Sequence, residues 1–127
     1  MMKVNKILYV DDEEINLKLF KLIFGKKYNV LIAENAFEAL DILKSDSDIL
    51  IIISDMRMPK MNGLEFIKIA QKKFPKKKYY ILTGFEITKE IKDALESGLI
   101  IKYFRKPFNK IELESAIIEI ISIETKE

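Results

Sequence analysis

Three carboxylates, a hydroxyl and an ammonium stand at the ends of four apolar runs. Asp11 and Asp12 follow ILYV, Asp55 follows IIIS, Thr83 closes YYILT, and Lys106 comes just after IIKYF. Like charges brought together are costly: at about 4 Å two unit charges repel by roughly 4 kcal/mol at an effective dielectric of 20. A divalent cation turns that repulsion into a binding site. The ligands offered are all oxygens, so the expected cation is hard, Mg²⁺ or Mn²⁺. A carboxylate beside such a cation can attack phosphorus and form an aspartyl-phosphate. Lys106 could neutralise one phosphoryl oxygen and Thr83 could donate a hydrogen bond to another. The chain has no histidine and no cysteine. This chemistry needs neither.

Such residues converge only if the strands that carry them lie side by side. Five short apolar runs alternate with helical patterns: KILYV (Lys6–Val10), NVLIA (Asn29–Ala33), ILIIIS (Ile49–Ser54), YYILT (Tyr79–Thr83) and IIKYF (Ile100–Phe104). The first and third are apolar almost throughout, as expected of strands covered on both faces of a parallel sheet. Between them, Ile15, Leu19, Leu22 and Ile23 form one helical stripe. Asn35 with Glu38, and Asn109 with Glu112, read as helix-opening caps. Gly63 precedes a third helix that stops before Pro75. Ile87, Ile91 and Leu95 mark a fourth, closed by Gly98. Leu113, Ala116, Ile117, Ile120 and Ile121 line the inner face of the fifth. The order predicts an α/β fold, a doubly wound five-stranded parallel sheet with five helices. Ligands bind such sheets outside the carboxyl ends of the strands, where the five polar residues fall.

Length and composition limit the alternatives. The 127 residues suit a single domain, 1–127, with its core at about 5–122. Net charge is +2, from 22 basic and 20 acidic residues. That balance does not suggest nucleic acid or membrane as a partner. No apolar run has the length of a signal or a membrane span, and the expected location is cytoplasmic. The basic run KKFPKKK, Lys72–Lys78, reads as a solvated face. Met56, Met58 and Met61 read as loop packing, because their neighbours are hard ligands.

The motifs ILYVDDEE, IIISDMRMPKMNG, ILTG and YFRKPF, in that order, resemble the receiver domain of bacterial two-component response regulators. The resemblance covers nearly the whole chain and implies a flavodoxin-like receiver fold with strand order 2-1-3-4-5. By position, Asp55 resembles the phosphoacceptor, Asp12 the direct metal ligand, and Asp11 the acid that holds metal through water. The backbone carbonyl of Arg57 would complete the metal ligands. Thr83 and Lys106 resemble the pair that contacts the phosphoryl group, with a cis peptide at Lys106–Pro107. Tyr103 matches the aromatic whose rotation accompanies activation. The resemblance further implies a phosphohistidine donor on a sensor histidine kinase or histidine phosphotransfer protein. It also implies a signalling face made of the fourth helix, fifth strand and fifth helix, through which a homodimer could form.

Two neighbours, Arg57 and Phe85, flank the expected path of the hydrolytic water and should lengthen the phosphoryl lifetime. No output pattern follows the fifth helix. The expectation is a stand-alone regulator acting on a downstream protein, or a receiver whose output domain would be carboxy-terminal. Ile118, Ile121 and Ile123 could pack on such a partner. Two other readings compete. A Mg²⁺-dependent phosphohydrolase typically carries Asp-x-Asp after its first strand, whereas Asp11 and Asp12 are adjacent. An inert binding module of the same fold usually lacks one of the five residues. Taken singly, acids in a first helical turn or at a turn have bland explanations. Glu13 and Glu14 are expected there, outside the metal site.

Overall fold

Ten elements alternate along the chain in the computed structural model, which describes residues 5–84 and 86–124. They are β1 (Lys6–Val10), α1 (Glu14–Phe24), β2 (Asn29–Ala33), α2 (Ala36–Ser45), β3 (Ile49–Asp55), α3 (Gly63–Lys73), β4 (Lys78–Thr83), α4 (Lys89–Glu96), β5 (Lys102–Arg105) and α5 (Lys110–Glu124). The strands form one parallel sheet in the order β2-β1-β3-β4-β5. The chain leaves β1 toward one edge and returns to β3 on its other side, so the topological switch point lies between β1 and β3.

The strands alternate their side chains between two layers. Ile7, Tyr9, Ile51, Ile53, Tyr80, Leu82 and Phe104 face α1 and α5, where Leu17, Phe20, Leu113 and Ile117 meet them. Leu8, Val10, Ile52, Tyr79 and Ile81 face α2, α3 and α4, against Leu43, Phe66, Ile67 and Ile91. Each large apolar side chain removed from water in this way contributes roughly 1.5–3 kcal/mol. Burial on both faces explains why β1 and β3 are apolar almost throughout. Side-chain caps fix four helix starts: Asn35 accepts from the Glu38 N–H, Asn62 and Glu65 form a capping box, Thr88 accepts from the Ile91 N–H, and Asn109 accepts from the Glu112 N–H at α5.

The structure corrects the stripe expected on α1. Ile15, Leu19 and Leu22 are exposed, at 78%, 44% and 68%, Ile23 alone of the four packs on the core, and Leu17, Phe20 and Phe24 are buried instead. Both sets have helical spacing, so periodicity does not choose between them. Ring packing does: Phe20 stacks on Tyr9 with centroids 4.1 Å apart and planes 2° from parallel, and Phe24 packs beside it at 4.6 Å. An aromatic ring buries more area than an aliphatic side chain and takes the inner position. On α4, Ile91 and Ala94 are buried while Leu95 is 39% exposed, and Ile87 lies before the helix. The fifth strand begins two residues later than expected, at Lys102, although the Ile101 N–H already donates to the Tyr79 carbonyl at 2.9 Å. Lys77 does not belong to a solvated face: it turns inward and donates to the carbonyls of Ser47 and Ile49.

Candidate functional site

The site forms where β1 and β3 end together. The Asp11 N–H still donates to the Ala33 carbonyl at 3.1 Å, so the backbone stays extended one residue past β1. Asp11 then shares a sheet face with Tyr9, two residues earlier, and is fully buried. Asp12 turns to the exposed rim. Asp55 is the last residue of β3 and is 5% exposed.

The loop after Asp55 is tied back on itself. The Met56 N–H donates to the Leu82 carbonyl, and the Gly63 N–H donates to the Met56 carbonyl, both at 2.9 Å. A Cβ on Gly63 would lie 2.4 Å from the Asp55 carbonyl oxygen, so closing this loop requires glycine. At the loop's tip the Met61 N–H donates to the Pro59 carbonyl at 2.8 Å, and Lys60 has φ 71°. This is a γ-turn, a tight and strained three-residue reversal. Asp12, Arg57, Met58, Pro59 and Asn62 line a cleft of about 420 Å³ beside the carboxylates. Met58 is buried, and Met56 and Met61 pack on the core beneath.

The other side of the site comes from β4 and β5. Thr83 ends β4, 1% exposed. The Lys106 N–H donates to the Thr83 carbonyl at 2.8 Å, and the Lys106–Pro107 peptide is cis. The Lys106 side chain crosses to the carboxylates. Its Nζ lies 3.1 Å from Asp55 Oδ2 and 3.2 Å from Asp11 Oδ2. Tyr103 sits on β5, half-buried against the layer that contains Ile91.

One oxygen each from Asp11, Asp12 and Asp55 lie within 4.8 Å of one another. Burial pushes the Asp55 carboxyl up to about 6 from its ordinary 3.8; Lys106 pulls it down, and Asp11 and Asp12 push it further up. Burial works against the Lys106 charge, but Asp55 and Asp11 outweigh it and raise its pKa. One lysine thus leaves three carboxylates incompletely neutralised. The donor set is oxygen-only and partly open to solvent at Asp12, which fits a hard divalent cation that keeps several waters. Asp11, Asp12, Asp55, Thr83 and Lys106, separated by up to 95 residues, all reach this one end of the sheet. The Glu13 and Glu14 carboxylates stand outside this cluster: Glu13 sits at the N-cap of α1, and Glu14 pairs with Lys18 at 3.0 Å on the exposed face. Phe85, paired with Arg57 in the expectation about water access, lies outside the described residues.

Two contributors were not singled out in the sequence. Gly63 sits against the backbone of Asp55; its signal was the Asn-Gly step at the opening of a helix. Tyr9 donates its hydroxyl to Asp11 Oδ2 at 2.8 Å. Its signal was a polar atom inside an otherwise apolar strand, two residues before an acid.

Known proteins can now be set beside this geometry. Residues 7–118 match the response regulator receiver domain. A chemotaxis protein CheY homolog of Campylobacter jejuni is 32% identical over 120 residues, covering 91% of this chain and 92% of its own. The transcriptional regulatory protein CpxR of Escherichia coli is 36% identical over 121 residues, 93% of this chain and 50% of its length. Among solved structures, a response regulator receiver domain protein from Clostridium thermocellum superposes with a TM-score of 0.89. It shares 31% identity over 95% of this chain and 97% of its own.

Proposed function

The chain belongs to the response regulator receiver domain family, and from that premise we propose that Asp55 accepts a phosphoryl group from a phosphohistidine. Its functional class is phosphorelay signal transduction. The donor would be a sensor histidine kinase or a histidine phosphotransfer protein. The observation that carries the reading is the single lysine shared between Asp11 and Asp55, with three carboxylates within 4.8 Å.

In this reading Asp12, Asp55 and the Arg57 carbonyl would hold Mg²⁺, with Asp11 reaching it through water. The cation would supply charge neutralisation between the carboxylates and the incoming phosphoryl oxygens. An Asp55 carboxylate oxygen forms the bond to phosphorus while the bond from phosphorus to the histidine nitrogen breaks. The electron pair leaves with the imidazole. Lys106 transfers its hydrogen bonds from Asp11 and Asp55 to a phosphoryl oxygen. The Thr83 hydroxyl turns to donate to a second oxygen, and Tyr103 moves inward behind it. The phosphorylated site favours one of two pre-existing arrangements of the α4-β5-α5 face. A downstream protein, an output domain or a second copy of the chain reads that face. Ile118 and Ile123 of α5 are exposed and Ile121 is half-buried, available to such a contact.

Intact-mass analysis after incubation with acetyl phosphate and Mg²⁺ tests the reading. Wild type is expected to gain one phosphoryl group, and Asp55→Ala none. Asp12→Ala should abolish the gain, whereas Glu14→Ala should leave it. A Glu14→Ala protein as inert as Asp12→Ala would contradict the assignment of ligands. Steady phosphate release from general phosphate esters would favour a hydrolase instead.

A further inference from the structure

The carboxylate of Asp11 carries more hydrogen bonds than the phosphorylation chemistry by itself explains. Its Oδ2 accepts from the Tyr9 hydroxyl at 2.8 Å, from the Asn16 amide at 3.2 Å and from Lys106 Nζ at 3.2 Å. Its Oδ1 accepts from the Glu13 N–H at 3.0 Å. The two oxygens are therefore distinguished. Oδ2 is saturated by three donors, and Oδ1, with one, retains a lone pair.

The three donors on Oδ2 are not equivalent. Lys106 is shared with Asp55, and in the proposed function it leaves both for a phosphoryl oxygen. Asn16 is shared with Glu13, whose Oε1 it also reaches at 3.3 Å. Tyr9 is shared with no other acceptor among the described hydrogen bonds, makes the shortest contact, and is 1% exposed. Its ring is fixed: Phe20 stacks on it at 4.1 Å. The hydroxyl therefore meets Asp11 from a wall that does not move with the lysine.

We propose that Tyr9 is a positioning residue for the cation site: its hydroxyl anchors Asp11 Oδ2 and so fixes the direction in which the carboxylate offers its remaining lone pair to a cation. This rests on the Mg²⁺-dependent reading above. Outer partners that orient metal-binding groups typically account for 10–100-fold in metal affinity. A carboxylate holding metal through water depends on orientation more than one bonded directly. Without the Tyr9 hydroxyl, Asp11 Oδ2 is held by Lys106 and Asn16 alone, each shared with another acceptor, and the carboxylate is free to turn about the Glu13 N–H bond on Oδ1. A bound cation would then face a less well oriented carboxylate.

Isothermal titration of Mg²⁺ into the unphosphorylated protein tests this without any phosphoryl transfer. Tyr9→Phe keeps the ring stack on Phe20 and should leave the metal-free melting midpoint close to wild type. Its Mg²⁺ dissociation constant should rise roughly tenfold. Asn16→Ala should raise it in the same direction by less. In labelling with acetyl phosphate, the Tyr9→Phe deficit should shrink as Mg²⁺ is raised to saturation. The decisive control is Asp11→Asn: if Tyr9 acts through Asp11, adding Tyr9→Phe to that variant changes the Mg²⁺ constant no further. A Tyr9→Phe constant within twofold of wild type, or an equal loss in the Asp11→Asn background, overturns the proposal. A wild type that neither binds Mg²⁺ nor labels overturns the functional reading as well, and is told apart by that.

Discussion

The two ends of the sheet use the same residue types and reach opposite electrostatic results. At the amino ends, Lys6 Nζ meets Asp46 Oδ2 at 2.8 Å, and the Asp48 N–H donates to Asp46 Oδ1 at 3.0 Å. The Lys6 hydrogen bond holds the Asp46 carboxyl below its ordinary value, and Asp46 raises Lys6 in return. Lys77, nearby, gives its ammonium to the carbonyls of Ser47 and Ile49. Lys6, Asp46 and Lys77 each have their own partners there. At the carboxyl ends, three carboxylates share Lys106, and Asp55 is pushed up to about 6. Burial separates the two: the Lys6 and Asp46 side chains are 25% and 20% exposed, Asp11 and Asp55 0% and 7%. Water screens the first group. The second needs a ligand.

The largest test of this contrast is to remove the strained charge. Asp55→Asn keeps the shape of the side chain and deletes one of three crowded carboxylates. A shift from 3.8 to about 6 corresponds to roughly 3 kcal/mol held against the ionised form. The pull of Lys106 is already contained in that net shift, so the metal-free variant should be about 3 kcal/mol more stable than wild type at pH 8. Denaturant unfolding measures it. The same substitution abolishes acetyl-phosphate labelling. A destabilised Asp55→Asn would mean that Lys106 already neutralises the site and that the two ends do not differ.

The pH dependence sharpens the comparison at smaller amplitude. Asp55 has a folded pKa near 6 and an ordinary value of 3.8. Between these the native state holds a proton that the unfolded state has released. Its contribution to stability therefore falls as pH rises from about 4 to about 6 and is flat above. Asp46 has the opposite sign. Its folded pKa is lowered, so its contribution is present above the ordinary value and is lost as pH falls through the folded one. Unfolding followed across pH 3 to 8 should show the Asp55 slope in wild type and its loss in Asp55→Asn. Saturating Mg²⁺, which on the proposed function would bind the ionised form, should flatten it too. A slope that survives in Asp55→Asn belongs to another group.

The same contrast explains how far the site was legible in the sequence. Asp11, Asp12, Asp55, Thr83 and Lys106 were visible because each stands at the end of an apolar run, and parallel strands bring such ends together. The alternation of runs and amphipathic segments carried the sheet and its two helical layers for the same reason. Other features depend on choices that one-dimensional spacing leaves open. Two helical stripes compete on α1, and the stack of Phe20 on Tyr9 decides between them. Tyr9 reads as an ordinary strand residue until its hydroxyl is seen against Asp11. Gly63 reads as a helix opening, although a 2.4 Å approach to the Asp55 backbone is what requires it. Lys77 reads as one of a basic run, yet it gives its ammonium to carbonyls at the amino end of β3. Strand ends are set by local pattern; partners across the sheet are not.

The smallest expected effect lies at the amino ends. Lys6→Ala removes an ion pair whose two members are both in contact with water, and such pairs gain little once side-chain ordering and salt screening are counted. The melting midpoint should move within the scatter of repeat scans, and any difference should vanish in 1 M salt. The carboxyl shift of Asp46 followed by NMR is the more sensitive readout. Its titration should move back up toward 3.8 in the variant, because the Lys6 hydrogen bond is the largest cause of its depression. The Asp55 titration should stay near 6 in the same sample, since none of the groups acting on it lies at that end. If Asp55 moved together with Asp46, the sheet would be transmitting charge between its ends. The carboxyl-end cluster would then be under a long-range control that its own residues do not account for.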